Sequence, residues 1–198
     1  MTVMTAMTTA MTTAPIGTGC VALVAVVFGF AAFGKLRDRA AWTEFVTTTG
    51  AMLPTRRLPV RPVAVVVAGA ECVTALLAVV ALGTRSAAAE VATLSLAAVL
   101  FATFLVGIAG VVRAGRRVRC RCFGARGAVF GRGHLVRNGV LLLTVACGLA
   151  AGGHPRLDGA ALVAVVTGAV CGLVAVHWDE LAYLFSEPAN AVPRRENP

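Results

Sequence analysis

Long apolar runs, separated by short charged ones, set the pattern of this chain. Five apolar segments stand out, at about residues 16–33, 62–82, 91–112, 135–151 and 159–178. Crossing a hydrocarbon core takes about 20 helical residues at about 1.5 Å rise each. Four of the segments meet that length. The segment 135–151 is short and carries Arg137 and Asn138 near its start, so it spans only if Arg137 extends its head group to the interface. Lipid offers no hydrogen-bond partner to a backbone, so each span must be helical. The predicted fold is therefore all-α, a polytopic transmembrane helical bundle over residues 16–178. Gly and Ala are frequent in all spans, as close helix packing in lipid requires.

Both ends differ from this pattern. Residues 1–15 repeat Met-Thr-x units with no charged side chain, and read as a short disordered tail. A signal peptide would place a basic stretch before its apolar run. Here none precedes the first span, which reads as a signal-anchor helix. Residues 179–198 read as a polar C-terminal tail.

Composition agrees with the spans. The chain is 58% hydrophobic and 14% charged, with a mean hydropathy of +0.84, whereas a soluble domain averages about 25% charged residues. The net charge of +9 comes from seventeen Arg and a single Lys35. Almost no aromatics interleave those arginines, which argues against a nucleic-acid face. Membrane lipids with anionic head groups are the expected partner.

Charge also predicts topology. Residues 34–61 carry Lys35, Arg37, Arg39, Arg56, Arg57 and Arg61, and residues 113–137 carry eight arginines. The intervening turns carry one each, Arg85 and Arg156. The positive-inside rule then puts 34–61, 113–137 and the C-terminal tail in the cytoplasm, with the N-terminus outside a plasma membrane.

Cys120 and Cys122 fall in the most basic of these loops, between Arg119, Arg121 and their neighbours. Nearby positive charge lowers a thiol pKa and raises the thiolate fraction. Thiolate is the form that exchanges with disulfides. A Cys-x-Cys disulfide closes a tight ring and is expected to be strained and oxidising. Two other readings stay open. The pair could supply half of a zinc site with His134, or be two unremarkable cysteines. Cys20, Cys72, Cys147 and Cys171 lie inside spans, where a cysteine ordinarily serves as a small apolar packing residue.

Glu71 lies well inside the second span. A carboxylate at that depth is costly and is normally paired or functional, and Lys35 and Arg137 are the candidate partners. The bland reading is an ion pair that fixes packing. The functional one is a proton-handling group beside a thiol or quinone site. His134, Arg137 and Asn138, spaced i, i+3 and i+4, share a helix face. Their bland reading is anchoring at the interface. No phosphate loop, Ser/His/Asp set or haem-type histidine pair is present. No cofactor is evident, and nothing in the sequence supports a quinone.

Three stretches together resemble a known family. "GFAAFGKLRDRAAWTEFVTTTGAMLP" (29–54) carries Gly-Lys-Leu-Arg-Asp at the end of the first span. "ECVTALLAVVAL" (71–82) opens on a glutamate inside the second. "CRCFGARGAVFGRGHLVRNGVLL" (120–142) joins Cys-x-Cys-Phe-Gly to a following Arg-Asn. Over roughly residues 20–150 the chain resembles the MauE branch of the DoxX-like membrane proteins. The resemblance implies a four-helix core, which leaves one further span, and a role in methylamine utilisation. It also implies maturation of the small, disulfide-rich subunit of methylamine dehydrogenase, by supporting disulfide formation or export. Carried over by position, Cys120 and Cys122 become the redox pair. Lys35, Glu71, Arg137 and Asn138 become the polar positions of the bundle.

Thiol-disulfide redox activity is the enzymatic expectation. Its partners would be a thioredoxin-like protein or an exported client. Client disulfides form outside the cytoplasm, whereas charge puts Cys120 and Cys122 inside. Cys20 and Cys147, near the outer face, are a candidate second end of a relay. The alternatives are a non-catalytic membrane subunit or assembly scaffold and, more weakly, a small-solute transporter.

Overall fold

The computed structural model describes residues 2–53, 58–116, 119–120, 128–129, 131–152, 158–178 and 180–181. The chain forms six helices, α1 (Thr2–Leu36), α2 (Arg39–Met52), α3 (Val60–Thr84), α4 (Ala87–Arg113), α5 (Arg132–Ala151) and α6 (Gly159–Val176). A two-stranded ladder, β1 (Arg119–Cys120) with β2 (Ala128–Val129), lies between α4 and α5. The strands are antiparallel, with Cys120 opposite Ala128.

Five helices are long and apolar enough to cross a membrane: Pro15–Leu36, Val60–Thr84, Ala87–Arg113, Arg132–Ala151 and Gly159–Val176. Their outward faces carry large apolar side chains such as Val66, Leu76, Val106, Leu143 and Leu162. In water such a surface would be unfavourable, and in lipid it is the matching one. This is the architecture of a multi-pass membrane protein.

α1 starts earlier than the apolar pattern predicts. It is helical from Thr2, over the stretch read from sequence as a tail. Residues 2–14 contain neither Gly nor Pro, so nothing interrupts helical propagation before Pro15. Of the C-terminal tail, only Glu180 and Leu181 are among the described residues.

α1 is the central helix, with α3, α4, α5 and α6 all packed on it. Its Val21, Val24, Val27 and Phe28 are fully buried, against Leu94, Leu100 and Phe101 of α4 and Leu141 and Val145 of α5. The Phe28 and Phe101 rings meet at 5.0 Å between centroids. α6 docks on α1 through backbone contact. A Cβ on Gly168 would collide with the Gly19 carbonyl, and one on Gly172 would lie 2.9 Å from Val26 Cβ. Only glycine permits that approach, the usual device of close helix pairs in lipid.

The ends of the elements are set locally. Asp38 caps α2 by accepting from Ala41 N–H at 2.7 Å, and Asp158 caps α6 by accepting from Ala161 N–H at 2.8 Å. Ser86 does the same for α4. Arg85 makes the turn from α3 in a left-handed conformation, φ 56°. Buried Thr74 and Thr93 donate to carbonyls four residues back in their own helices, each at 2.7 Å. Both hydroxyls thereby enter the apolar interior with their protons satisfied.

Candidate functional site

α2 was not expected from the span pattern, and it organises one end of the bundle. It follows a short break after α1 and places Trp42, Phe45, Val46 and Thr49 at helical spacing. Phe45 packs with Ala64 and Ala68 of α3. Its opposite side, with Arg39, Thr43 and Thr47, is exposed.

Under α2 lies a buried ion pair. Lys35 Nζ donates to both carboxylate oxygens of Glu71, at 2.6 and 2.7 Å. The two side chains are 4% and 1% exposed. The Phe45 ring faces the ammonium at 4.9 Å from its centroid, and the Phe104 ring of α4 at 6.0 Å. Bidentate charge-assisted hydrogen bonds and two π-faces together replace the lost hydration. Glu71 lies about 16 Å into α3 from Val60, counted at the helical rise. A small polar cleft of about 120 Å³ leads toward Lys35, lined by Asp38, Ala41, Glu44, Phe45 and Thr48.

The other sequence-selected residues fall as follows. Arg137 is buried at 8% exposure on α5. Asn138 donates to the His134 carbonyl of its own helix at 2.9 Å. Of the two candidate partners for Glu71, Lys35 makes the hydrogen bonds. Cys120 lies in β1, which sits against α2. Cys122 lies outside the described residues. The backbone carrying Cys120 is thus at the same end of the bundle as the Lys35–Glu71 pair. Asp38, at that end, has its carboxyl held below the usual carboxylate range, first by the Ala41 N–H bond and then by neighbouring Arg37.

The opposite end holds Cys20 and Cys147. Cys20 is buried, Cys147 is exposed, and both are free thiols. The Cys20 thiol donates to the Thr144 carbonyl at 3.4 Å. Glu90 shares this end and was missed by sequence reasoning. It is 6% exposed, in the first turn of α4. The pattern started that span at residue 91, so Glu90 read as loop. Among the described residues, no cluster of His, Cys, Asp or Glu could hold a metal ion.

A helical multi-pass bundle with a buried ion pair, and a short ladder that carries Cys120, defines the class. Within it, the family model of the methylamine utilisation protein MauE matches residues 10–151. That match covers most of the chain, which belongs to the MauE family. It takes in α1 from residue 10 onward and all of α2 to α5, and ends before α6. No curated protein and no solved structure matches the chain.

Proposed function

We propose that this protein supports thiol-disulfide redox maturation of an exported protein through Cys120 and Cys122. The client would be the methylamine dehydrogenase small subunit or an analogous disulfide-rich protein. The observation that carries the reading is the position of β1, with Cys120, against α2 at the end where Lys35 and Glu71 are buried. A cysteine in an arginine-rich turn is biased toward thiolate. The backbone that carries Cys120 packs on α2.

Exchange conserves electrons and protons. A thiolate of the pair attacks one sulfur of a thioredoxin-like partner's disulfide, and the leaving sulfur takes a proton. The second cysteine resolves the mixed disulfide. The partner leaves as a dithiol and the pair as a disulfide. Run in reverse on a dithiol partner on the same side of the membrane, the same steps oxidise that partner and restore the two thiols. The charge pattern favours the N-terminus outside and this loop in the cytoplasm of the plasma membrane.

Replacing both cysteines with Ser should abolish client maturation while the protein stays inserted. Full maturation in that variant would end the proposal. Alkylation of intact cells by a membrane-impermeant and then a permeant thiol reagent reads the side. Cys120 and Cys122 should label only with the second.

A second reading, an assembly scaffold, draws on the Lys35–Glu71 pair itself. Its mutual satisfaction and burial suit a packing anchor as well as a proton-handling group. In that case the double Ser variant keeps activity and a stable partner co-purifies.

A further inference from the structure

The end of the bundle opposite α2 holds a second set of groups with chemistry. Counted at the helical rise, Cys20 is about 8 Å from the start of its span, Glu90 about 5 Å and Cys147 about 6 Å from the nearby ends of theirs. α1, α4 and α5 therefore bring all three to one shallow level. α5 is shaped around the Cys20 sulfur. A Cβ on Gly148 would lie 2.9 Å from both Cys20 Cβ and Sγ. Thr144, one turn earlier, accepts the thiol proton. Cys147, adjacent to that glycine, is exposed.

Glu90 approaches from the other side. A Cβ on Gly17 would collide with Glu90 Oε1, so the glycine makes room for the carboxylate beside α1. Glu90 as a whole residue is 6% exposed, and among the described residues its carboxylate makes no hydrogen bond or ion pair. A group this costly to bury is ordinarily paired or functional. Gly17 and Cys20, three residues apart, share a face of α1, so the carboxylate against Gly17 lies on the Cys20 side of that helix, as does the α5 backbone at Gly148, next to Cys147. Cys171 of α6 shares an open apolar groove with Cys20 and is a further titratable neighbour.

We propose that Cys20 and Cys147 form a redox pair tying α1 to α5, in which exposed Cys147 meets a partner's disulfide, buried Cys20 resolves it, and Glu90 accepts the Cys20 proton. Cys147 lies one turn beyond lipid-facing Leu143 and about one turn from the end of α5, so the substrate class is a peptide or protein disulfide seated at the membrane surface, or in reverse a dithiol. Cys147 thiolate attacks one partner sulfur, the partner S–S bond breaks, and the departing sulfur is protonated. Glu90 then takes the Cys20 proton, and Cys20 attacks Cys147 Sγ. The second partner sulfur leaves and is protonated in turn. The partner gains two electrons and two protons, which Cys20 and Cys147 lose. The proposal extends the thiol reading to other cysteines, and its test is independent of Cys120 and Cys122.

The test uses the full chain in lipid bilayer discs with Cys72, Cys120, Cys122 and Cys171 replaced by Ser. Oxidised glutathione is the probe, and intact mass is the readout. An internal disulfide should form, with the Cys20→Ser variant stopping at a glutathione adduct on Cys147. Glu90→Gln should slow closure of the internal disulfide by about tenfold or more, the scale of a lost general base, and shift its pH profile upward. Glu90→Asp should restore part of the rate. Two free thiols that never join, or closure in Glu90→Gln at the parent rate and pH profile, would overturn the proposal. Gly17→Ala, which displaces the carboxylate without removing it, should slow closure too; an unchanged rate there also counts against it.

Discussion

Lys35 Nζ sits between the two carboxylate oxygens of Glu71, at 2.6 and 2.7 Å, and joins α1 to α3 inside the bundle. Neither group reaches solvent. The low-dielectric surroundings make the attraction strong, and they make either charge alone expensive.

Single removals should therefore cost far more than double ones. Lys35→Met leaves a buried carboxylate unpaired, and Glu71→Leu leaves a buried ammonium. Each is expected to destabilise by about 3–5 kcal/mol. The double variant Lys35→Met with Glu71→Leu removes both charges at similar volume and should lose much less. Thermal unfolding in detergent, run as a double-mutant cycle, measures the coupling. If the double variant stays stable but client maturation fails, the pair handles protons as well as packing.

The spans were legible because lipid imposes one long, unbroken pattern. The spans start and stop within a few residues of the hydropathy pattern. α2 was not legible from that pattern, because its charged start at Arg39 merged it with the basic loop. Its cues were present on a smaller scale, in Asp38 as a cap and in Trp42, Phe45, Val46 and Thr49 on one face. Glu90 was lost to a boundary, since one residue decided whether it counted as loop or span. His134, Arg137 and Asn138 share a face, as their spacing requires. Spacing could not tell that Asn138 would turn back to its own helix, because that bond is an i−4 alternative open to any such side chain. The depth of Lys35 likewise depends on Phe45 and Phe104, which come from two other helices.

Asp38 predicts a pH dependence at the α2 end. Its carboxyl is held below the usual range by the Ala41 N–H, aided by Arg37. A group lowered on folding contributes stability that is fully present above its unfolded pKa, about 3.9. That contribution is lost as pH falls through the lower folded value. Acidification below about pH 4 should thus loosen α2 first, and Asp38→Ala should loosen it at neutral pH too. Asp38→Asn keeps a capping oxygen and should remove the acid sensitivity. Hydrogen exchange at Ala41 and Trp42 follows the cap directly. Equal exchange across the acid range in the parent protein would contradict the assignment.

The contact of Gly168 with Gly19 makes α6 the most specifically breakable element. A methyl group on Gly168 would have to enter the Gly19 carbonyl, which is backbone and cannot rotate away. Gly168→Leu should therefore separate α6 from α1, while α1, α3, α4 and α5 keep their shared core around Phe28, Leu94, Phe101 and Val145. Gly159→Leu, where a side chain meets open space, is the matched control. Cysteine pairs placed on facing positions of α1 and α6 should cross-link in the control and fail in Gly168→Leu. The matched family region ends at residue 151, so the remaining bundle should stay inserted. Its unfolding should then be separable from the loss of α6. If Gly168→Leu instead unfolds everything in a single step, α6 is integral to the core and the division between α1–α5 and α6 does not hold.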